Sequence, residues 1–212
     1  MEKKRLFFDC DGFLFNTIPA HIAYFKQKYS VLLSPEDFSN HPDLYELIKS
    51  KSDIRHFDIS HNDFYKDMSE NFLSSWQWHQ DILPMKGMKE VIQKLAKKYD
   101  EIHIVTARDV TSKDIIRRLC DIHISDVKIH HIHCVWRREN NKLQCITKKE
   151  YLMEFSGLPH HYFFDDSLHE ILKTTEIIPS FLYDPYHRYD NNIDVKGGTI
   201  QRIFTWQEIL EI

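Results

Sequence analysis

The chain has 212 residues, of which 42% are hydrophobic and 28% are charged, and its formal net charge is −4. This length accommodates one hydrophobic core with a smaller insert, and the composition excludes an intrinsically disordered chain. The acidic balance gives no support to nucleic acid as the main partner, because a polyanion is bound mainly through positive charge.

Nothing in the sequence indicates a membrane or secreted protein. No apolar run approaches the roughly 18 residues of a membrane span. The basic residues 1–5 precede an apolar stretch, residues 6–8, that is too short for a signal peptide. The four cysteines form no Cys-x-x-Cys pair, which is typical of reduced thiols. We therefore expect a cytoplasmic protein.

The first predicted strand, residues 6–8, ends in two carboxylates. Asp9 and Asp11 follow it at a spacing of two, and Gly12 comes next. If the extended geometry persists, both carboxylates lie on the same side of the chain. Two carboxylates this close repel each other, which indicates a cation or a shared proton beside them. The alternative is an ordinary strand-to-turn junction, because Asp and Gly are common turn residues.

Residues 18–83 predict a helical insert. Apolar residues at helical spacing predict a first helix over 18–29, and Ser34 followed by Pro35 is typical of a helix start. The strongest predicted helix covers 62–78, and we interpret its i, i+4 stripe as core packing. The stripe consists of Phe64, Met68, Phe72 and Trp76. Six aromatic residues of the insert are candidates for facing a ligand: Phe38, Tyr45, Phe57, Tyr65, Trp76 and Trp78.

From residue 84 onward, predicted helices and strands alternate. Strands are predicted at 101–105, 127–135, 143–146, 162–164 and 180–183, with helices between most of them. This alternation predicts a doubly wound parallel sheet, in which ligands bind beyond the carboxyl ends of the strands. Polar residues follow four of the predicted strands: Asp9 and Asp11, Thr106, Asp165 and Asp166, and Asp184.

These residue types predict phosphoryl-transfer chemistry. Two acidic clusters offer only oxygen ligands, which suit Mg²⁺ better than zinc. A hydroxyl and a lysine at the same edge suit the oxygens of a phosphoryl group, and Asp is a competent nucleophile toward phosphorus. A second metal interpretation concerns His130, His131 and His133, two of which would share a strand face. No partner ligands at a recognisable spacing accompany them.

Three segments resemble motifs of the haloacid dehalogenase (HAD) superfamily. Residues 6–17 resemble motif I, residues 101–106 resemble motif II, and residues 163–167 resemble motif IV in its acidic-pair form. The resemblance implies an α/β fold with a Rossmann-like doubly wound parallel sheet and a small helical cap between motifs I and II. We predict that residues 1–16 and 84–212 form the catalytic core and that residues 17–83 form the cap.

The resemblance also implies roles for individual residues. Asp9 would be the nucleophile and a Mg²⁺ ligand. Asp11 would be the general acid and base, with its backbone carbonyl on the metal. Thr106 would bind phosphate. Asp166 would ligate the metal directly, and Asp165 would act through a water.

The motif III lysine is less well determined by the sequence. Lys148 and Lys149 open the helix before motif IV, where the family places this lysine, and Lys128 is a third candidate. We prefer Lys148, with Lys149 as the alternative. Arg108 lies two residues after the motif II segment, and we assign no role to it.

Within the superfamily, the chain is most similar to the 5′(3′)-deoxyribonucleotidase branch. The similarity lies in residues 84–88, 181–186 and 206–209. It implies a Mg²⁺-dependent phosphomonoester hydrolase that forms an aspartyl-phosphate and acts on a small metabolite such as a (deoxy)nucleoside monophosphate. The alternatives are a phosphatase for sugar phosphates or other small metabolites, a polynucleotide end phosphatase, and a catalytically silent HAD-fold binding module. The substrate-binding residues are not identified.

Overall fold

The computed structural model describes residues 2–40, 43–52, 57–139, 142–189, 194–195 and 198–212. The strands within these ranges are β1 (Arg5–Phe8), β2 (Glu101–Asp109), β3 (His131–Glu139), β4 (Lys142–Cys145), β5 (His161–Asp165), β6 (Ser180–Tyr183), β7 (Asp194–Val195), β8 (Gly198–Thr199) and β9 (Gln201–Ile203).

The centre of the molecule is a seven-stranded sheet in the order β4-β3-β2-β1-β5-β6-β9. Neighbouring strands are parallel, apart from the antiparallel pair β3 and β4. Strand β1 lies in the middle, and its Leu6, Phe7 and Phe8 are at most 1% exposed because both faces of the sheet are covered. The predicted doubly wound α/β fold is confirmed.

The helices within the described ranges are α1 (Ile18–Tyr29), α2 (Asp37–Asn40), α3 (Leu44–Lys51), α4 (His61–Asp67), α5 (Met88–Leu95), α6 (Lys113–His123), α7 (Lys148–Met153) and α8 (Leu168–Thr174). Shorter turns of 3₁₀ helix occur at Trp76–Trp78, Val110–Ser112 and Trp206–Glu211. The predicted first helix is confirmed to its last residue.

The single helix predicted over 62–78 is wrong. Helix α4 passes into a π-helix at Met68–Leu73, and a 3₁₀ turn at Trp76–Trp78 follows. The i, i+4 spacing does not distinguish an α-helix from this wider winding. Phe64 and Phe72 are fully buried in the apolar cluster of the insert. Trp76 instead packs against the apolar cluster on the face of the sheet that contains Leu6 and Phe8.

The apolar side chains form three clusters. Leu6 and Phe8 belong to the cluster on one face of the sheet, and Phe7 belongs to the cluster on the other face, as alternation along a strand requires. The insert has its own cluster, in which Phe25 and Phe64 stack with ring centroids 5.9 Å apart. Helices α1, α3 and α4 therefore bury apolar surface among themselves. The boundaries predicted for the cap and the core stay a prediction.

The histidine-rich segment has a packing role in the structure. Strand β3 begins at His131, four residues later than predicted. The buried His133 donates a hydrogen bond from Nε2 to the Ile146 carbonyl at 3.0 Å, and His130 Nδ1 accepts the Ile102 N–H at 3.1 Å.

Within the described ranges, no helix is both long and apolar enough to cross a membrane.

Candidate active site

The carboxyl ends of three adjacent strands bring most of the predicted site residues together. Asp9 follows β1, Thr106 lies in β2 where the pairing register shifts, and Asp165 ends β5 with Asp166 after it. These residues line a cavity of about 360 Å³, together with Asp11. The cavity lies where a doubly wound sheet is expected to bind its ligand.

Lys148 is in direct contact with the buried carboxylates. Its Nζ lies 2.6 Å from Asp9 Oδ1 and 2.7 Å from Asp165 Oδ2, and the residue is 3% exposed. Thr147 caps helix α7 through a capping box with Glu150, which fixes Lys148 in the first helical turn. Lys149 and Lys128 are exposed to solvent. The geometry therefore agrees with the choice of Lys148.

The pKa values of Asp9 and Lys148 depend on each other. Burial raises the pKa of Asp9 well above its ordinary value, and the neighbouring Lys148 opposes that rise. Burial alone would lower the pKa of the Lys148 ammonium, but Asp165 and Asp9 outweigh it and raise the pKa. Lys148 therefore remains charged in its buried position, beside the carboxylate that is expected to act as the nucleophile.

Asp9, Asp165 and Asp166 offer the donor set of a metal site. One carboxylate oxygen from each lies within 4.8 Å of the others. Burial raises the pKa of Asp166 to about 6, and Arg188 opposes that rise. A divalent cation with a preference for oxygen, such as Mg²⁺, would relieve the repulsion among these carboxylates.

The two motif IV carboxylates have different partners. Asp165 uses Oδ2 for Lys148 and Oδ1 for the Ser167 N–H at 2.9 Å, so both its oxygens are engaged. Asp166 receives Arg188 on Oδ2 at 3.1 Å. This difference agrees with the prediction that Asp166 is the direct metal ligand and Asp165 acts through a water, and the division stays a prediction.

Gly12 allows Asp166 to approach motif I. Its φ is +73°, and a Cβ at this position would lie 2.3 Å from Asp166 Oδ2. A side chain here would strain the backbone and also displace a candidate metal ligand. The glycine of the motif I pattern is therefore required by a contact that forms only in the folded chain.

We expect Gly12→Ala to weaken Mg²⁺ binding by at least about tenfold, because Asp166 must shift to make room. The left-handed backbone alone should cost about 1–2 kcal/mol of unfolding free energy. Gly157→Ala is the matched control, since Gly157 has a φ of +75° with no atom within 4 Å of the added Cβ. Isothermal titration with Mg²⁺ and chemical denaturation of both variants would measure the two effects. Equal Mg²⁺ affinity in the two variants would contradict this account.

Thr106 is predicted to bind phosphate, and its hydroxyl lies at the cavity. The residue is 1% exposed and lines the cavity. Its Oγ1 accepts the Arg108 N–H at 3.3 Å, so the hydroxyl hydrogen is available to a phosphate oxygen. The position of Thr106 agrees with its predicted role.

Asp11 has a partner, Arg108, that was not predicted from the sequence. Arg108 donates from Nε to Asp11 Oδ2 at 2.8 Å and from Nη2 to Oδ1 at 2.7 Å. Burial by itself raises the pKa of Asp11, but Arg108 outweighs burial and the pKa falls well below its ordinary range. Arg108 follows Thr106 at a spacing of two on the same strand, and alternation was the signal that could have placed both residues at the site.

Asp184 follows β6 as predicted, but it takes part in a hydrogen-bond network beside the cavity and is not among the residues that line it. It is completely buried and accepts hydrogen bonds from the Arg202 side chain at 2.5 Å and from the backbone N–H groups of Arg188 and Tyr189. These bonds shape the loop after β6, which places Arg188 at the cavity. Asp184 is predicted from the sequence as an edge residue, whereas Arg188 is not predicted.

The insert provides the opposite side of the cavity. Its lining residues include His21 and Leu44, and Phe38 is the one member of the six aromatic candidates that lines the cavity as the structure describes it. Tyr45 and Phe57 contact each other within the insert, and Trp76 lies beneath the Arg118 guanidinium at 3.9 Å. Most of the aromatic residues therefore stabilise the insert.

No family model matches the sequence, and no curated protein matches it. Several solved structures resemble it over nearly their whole length. A predicted phosphoglycolate phosphatase from Haemophilus somnus is 16% identical, with a TM-score of 0.63 and coverage of 100% of this chain and 98% of that chain. The magnesium-bound HAD-hydrolase YfnB from Bacillus subtilis is 15% identical, with a TM-score of 0.61 and coverage of 100% and 98%.

CbbY from Rhodobacter sphaeroides, in complex with phosphate, is also 15% identical, with a TM-score of 0.62 and coverage of 98% of this chain and 96% of that chain. These similarities confirm that the chain has the fold of HAD hydrolases. They give no support to the deoxyribonucleotidase branch that the sequence resembles in residues 181–186.

Proposed function

We propose that the protein is a Mg²⁺-dependent phosphomonoester hydrolase that forms an aspartyl-phosphate on Asp9. The observation that carries the proposal is the contact of 2.6 Å between Asp9 Oδ1 and Lys148 Nζ in a cavity that Asp11 and Thr106 also line. A buried carboxylate held beside a fixed ammonium can attack phosphorus while the ammonium balances the charge of the phosphoryl oxygens.

Each residue has a separate task in this reaction. A carboxylate oxygen of Asp9 attacks phosphorus, and the bond from phosphorus to the leaving oxygen breaks. Thr106 donates its hydroxyl hydrogen to a phosphoryl oxygen, and Lys148 neutralises the negative charge there. Asp11 would give a proton to the leaving oxygen and would then take one from the water that hydrolyses the aspartyl-phosphate. Its hydrogen bonds to Arg108 hold its pKa low, so the first of these transfers requires the contact with Arg108 to loosen.

The donor set at the cavity fits Mg²⁺. Asp9 and Asp166 would hold the ion directly, with the Asp11 backbone carbonyl as a further ligand and Asp165 acting through a water. When bound, Mg²⁺ neutralises charge on the transferring phosphoryl group. The structure of YfnB contains magnesium and that of CbbY contains phosphate. Both support the proposal that this cavity binds Mg²⁺ and a phosphoryl group.

We propose a small phosphorylated metabolite as the substrate, and a nucleoside monophosphate as the first candidate within that class. The cavity volume of about 360 Å³ lies in the range typical of small-ligand sites. The aromatic rings of Phe38 and Tyr186 line it and could stack against a base. The name of the H. somnus protein makes 2-phosphoglycolate a second candidate, whose leaving group carries a carboxylate.

Phosphate release from a panel of substrates would test the proposal. The panel contains deoxyribonucleoside and ribonucleoside monophosphates, sugar phosphates, 2-phosphoglycolate and a 3′-phosphorylated oligonucleotide. We expect release from at least one small phosphomonoester, and preference for the oligonucleotide would contradict the proposed substrate class. If no substrate is hydrolysed faster by the wild type than by the Asp9→Asn variant, the proposed activity is wrong.

We expect removal of Mg²⁺ to abolish hydrolysis. Lys148 and Arg188 offset only part of the negative charge of Asp9, Asp165 and Asp166, so a phosphoryl dianion beside these three carboxylates needs a further cation. Dialysis against EDTA should lower kcat to background, and added Mg²⁺ should restore it. Undiminished phosphate release in EDTA would show that the metal assignment is wrong.

A further inference from the structure

Two polar side chains, those of Asn16 and His21, line the cavity where the chain passes from motif I into helix α1. The Asn16 backbone N–H donates to the Leu83 carbonyl at 3.0 Å, which fixes the main chain at this point. The Asn16 side-chain amide makes no hydrogen bond within the described ranges. Its oxygen and its two N–H groups are therefore available to a ligand.

His21 presents an acceptor atom. Its Nδ1 lies 2.9 Å from the Thr17 carbonyl oxygen, four residues earlier in the chain. Because a carbonyl only accepts, the ring proton is on Nδ1 and Nε2 carries a lone pair. Burial lowers the pKa of His21, so the ring is neutral at pH 7. The ring packs against Phe72 with 4.5 Å between the ring centroids, which limits its rotation.

The unpaired atoms of both side chains are accessible from the cavity. Both residues are half-buried. Neither the Asn16 amide nor His21 Nε2 is among the buried side-chain atoms that lack a hydrogen bond in the described part of the chain. Since these atoms have no protein partner either, they are open to a ligand or to water. A ligand that excludes water from the cavity must offer them hydrogen bonds or leave them unpaired.

The cavity favours a neutral partner for these atoms over a second anionic group. Among the described residues that line it, the lysine and arginine side chains are Lys148 and Arg188. Lys148 pairs with Asp9 and Asp165, and Arg188 pairs with Asp166. A leaving group with a carboxylate would therefore meet cations that already have carboxylate partners, whereas a hydroxyl matches an amide and a neutral imidazole.

We propose that Asn16 and His21 are specificity-determining residues that bind a hydroxyl-bearing leaving group, an inference that rests on the proposed function. A hydroxyl of the leaving group donates to His21 Nε2, and a hydroxyl oxygen accepts from the Asn16 amide. This is the chemistry of a sugar, either free or within a nucleoside monophosphate. Phe38 and Tyr186 line the same cavity and can cover the apolar face of the sugar or base.

The test compares two pairs of substrates that differ in their hydroxyl groups, with Mg²⁺ present. One pair is adenosine 5′-monophosphate and its 2′,3′-dideoxy analogue, and the other is glucose 6-phosphate and cyclohexylmethyl phosphate. In the pair that the wild type hydrolyses faster, we expect kcat/KM to be at least about tenfold higher for the hydroxylated substrate, because the analogue leaves polar groups of the site unpaired. The faster pair shows whether the sugar is free or part of a nucleotide.

Two variants locate this preference. His21→Phe keeps an aromatic ring against Phe72 and removes the acceptor, and Asn16→Ala removes the amide. In each variant, kcat/KM should fall about tenfold further for the hydroxylated substrate than for its analogue. Gln27→Ala, at an exposed position of α1, is the matched control and should behave as the wild type.

Equal losses for both substrates of a pair in His21→Phe and in Asn16→Ala would assign the two residues to the structure of the insert and overturn the inference. A wild type that prefers 2-phosphoglycolate, or that does not favour the hydroxylated substrates, would also overturn it while leaving the proposed function intact. This comparison needs no variant, so it decides the question even if a substitution prevents folding. A wild type that releases phosphate from no substrate would overturn both.

Discussion

Asp9→Asn is expected to lower phosphomonoester hydrolysis by at least about 10³-fold, because an amide is a poor nucleophile toward phosphorus. The fold should remain intact. Lys148 keeps its bond of 2.7 Å to Asp165, and the amide oxygen can still accept from Lys148 Nζ. Steady-state kinetics on the best substrate of the panel and circular dichroism would measure the two expectations.

The Asp81→Asn variant is a matched control, since Asp81 is exposed at the surface. It should retain wild-type activity. Trapping the phosphorylated protein from wild-type enzyme, and its absence in Asp9→Asn, would locate the covalent intermediate. Activity within tenfold of the wild type in Asp9→Asn would remove Asp9 as the nucleophile and with it the proposed mechanism.

Lys148→Ala should have the largest effect on stability, at about 3–5 kcal/mol of unfolding free energy in the absence of Mg²⁺. The substitution leaves Asp9 and Asp165 as buried carboxylates without their shared cation. It should also reduce activity to the level of Asp9→Asn. Lys149→Ala is the matched control and should change the unfolding free energy by less than about 0.5 kcal/mol, because Lys149 is exposed.

The destabilisation of Lys148→Ala should depend on pH. Burial raises the pKa values of Asp9 and Asp165, and loss of Lys148 removes the main opposing influence. The folded variant therefore binds more protons than the unfolded chain, and its stability rises as the pH falls toward the unfolded Asp value of about 3.9. Denaturant titrations at several pH values would show the difference from the wild type decreasing toward low pH. A difference that grows at low pH would contradict this electrostatic account.

The chain order of strands β1 to β6 was predictable because local patterns determine it, whereas strands β7 to β9 were not predicted. An apolar stretch before Asp9 and helical spacing from Ile18 onward need no tertiary information. The π-helix at Met68–Leu73 was not predictable, because both windings bring residues about four apart onto one face. The same local signals predicted Asp184 as a site residue, although its contacts with Arg188 and Arg202 give it a structural role.

The sequence by itself predicted which residue types lie at the candidate site. Residue types at the ends of predicted parallel strands are sufficient to predict an oxygen-rich edge, since parallel strands bring their carboxyl ends to one edge of the sheet. This reasoning predicted that Asp9, Thr106 and Asp165 lie at that edge. The role of Lys148 was predicted from the family resemblance.

Only the tertiary structure decided which of two adjacent lysines reaches Asp9, and only it showed the contacts of Arg108 and Gly12. The capping box of α7 turns Lys148 inward and leaves Lys149 in solvent, a difference of one residue on a helix. Arg108 meets Asp11 across 97 positions of chain, and Gly12 meets Asp166 from a different strand end. Such contacts depend on the packing of distant segments, which local residue patterns do not encode.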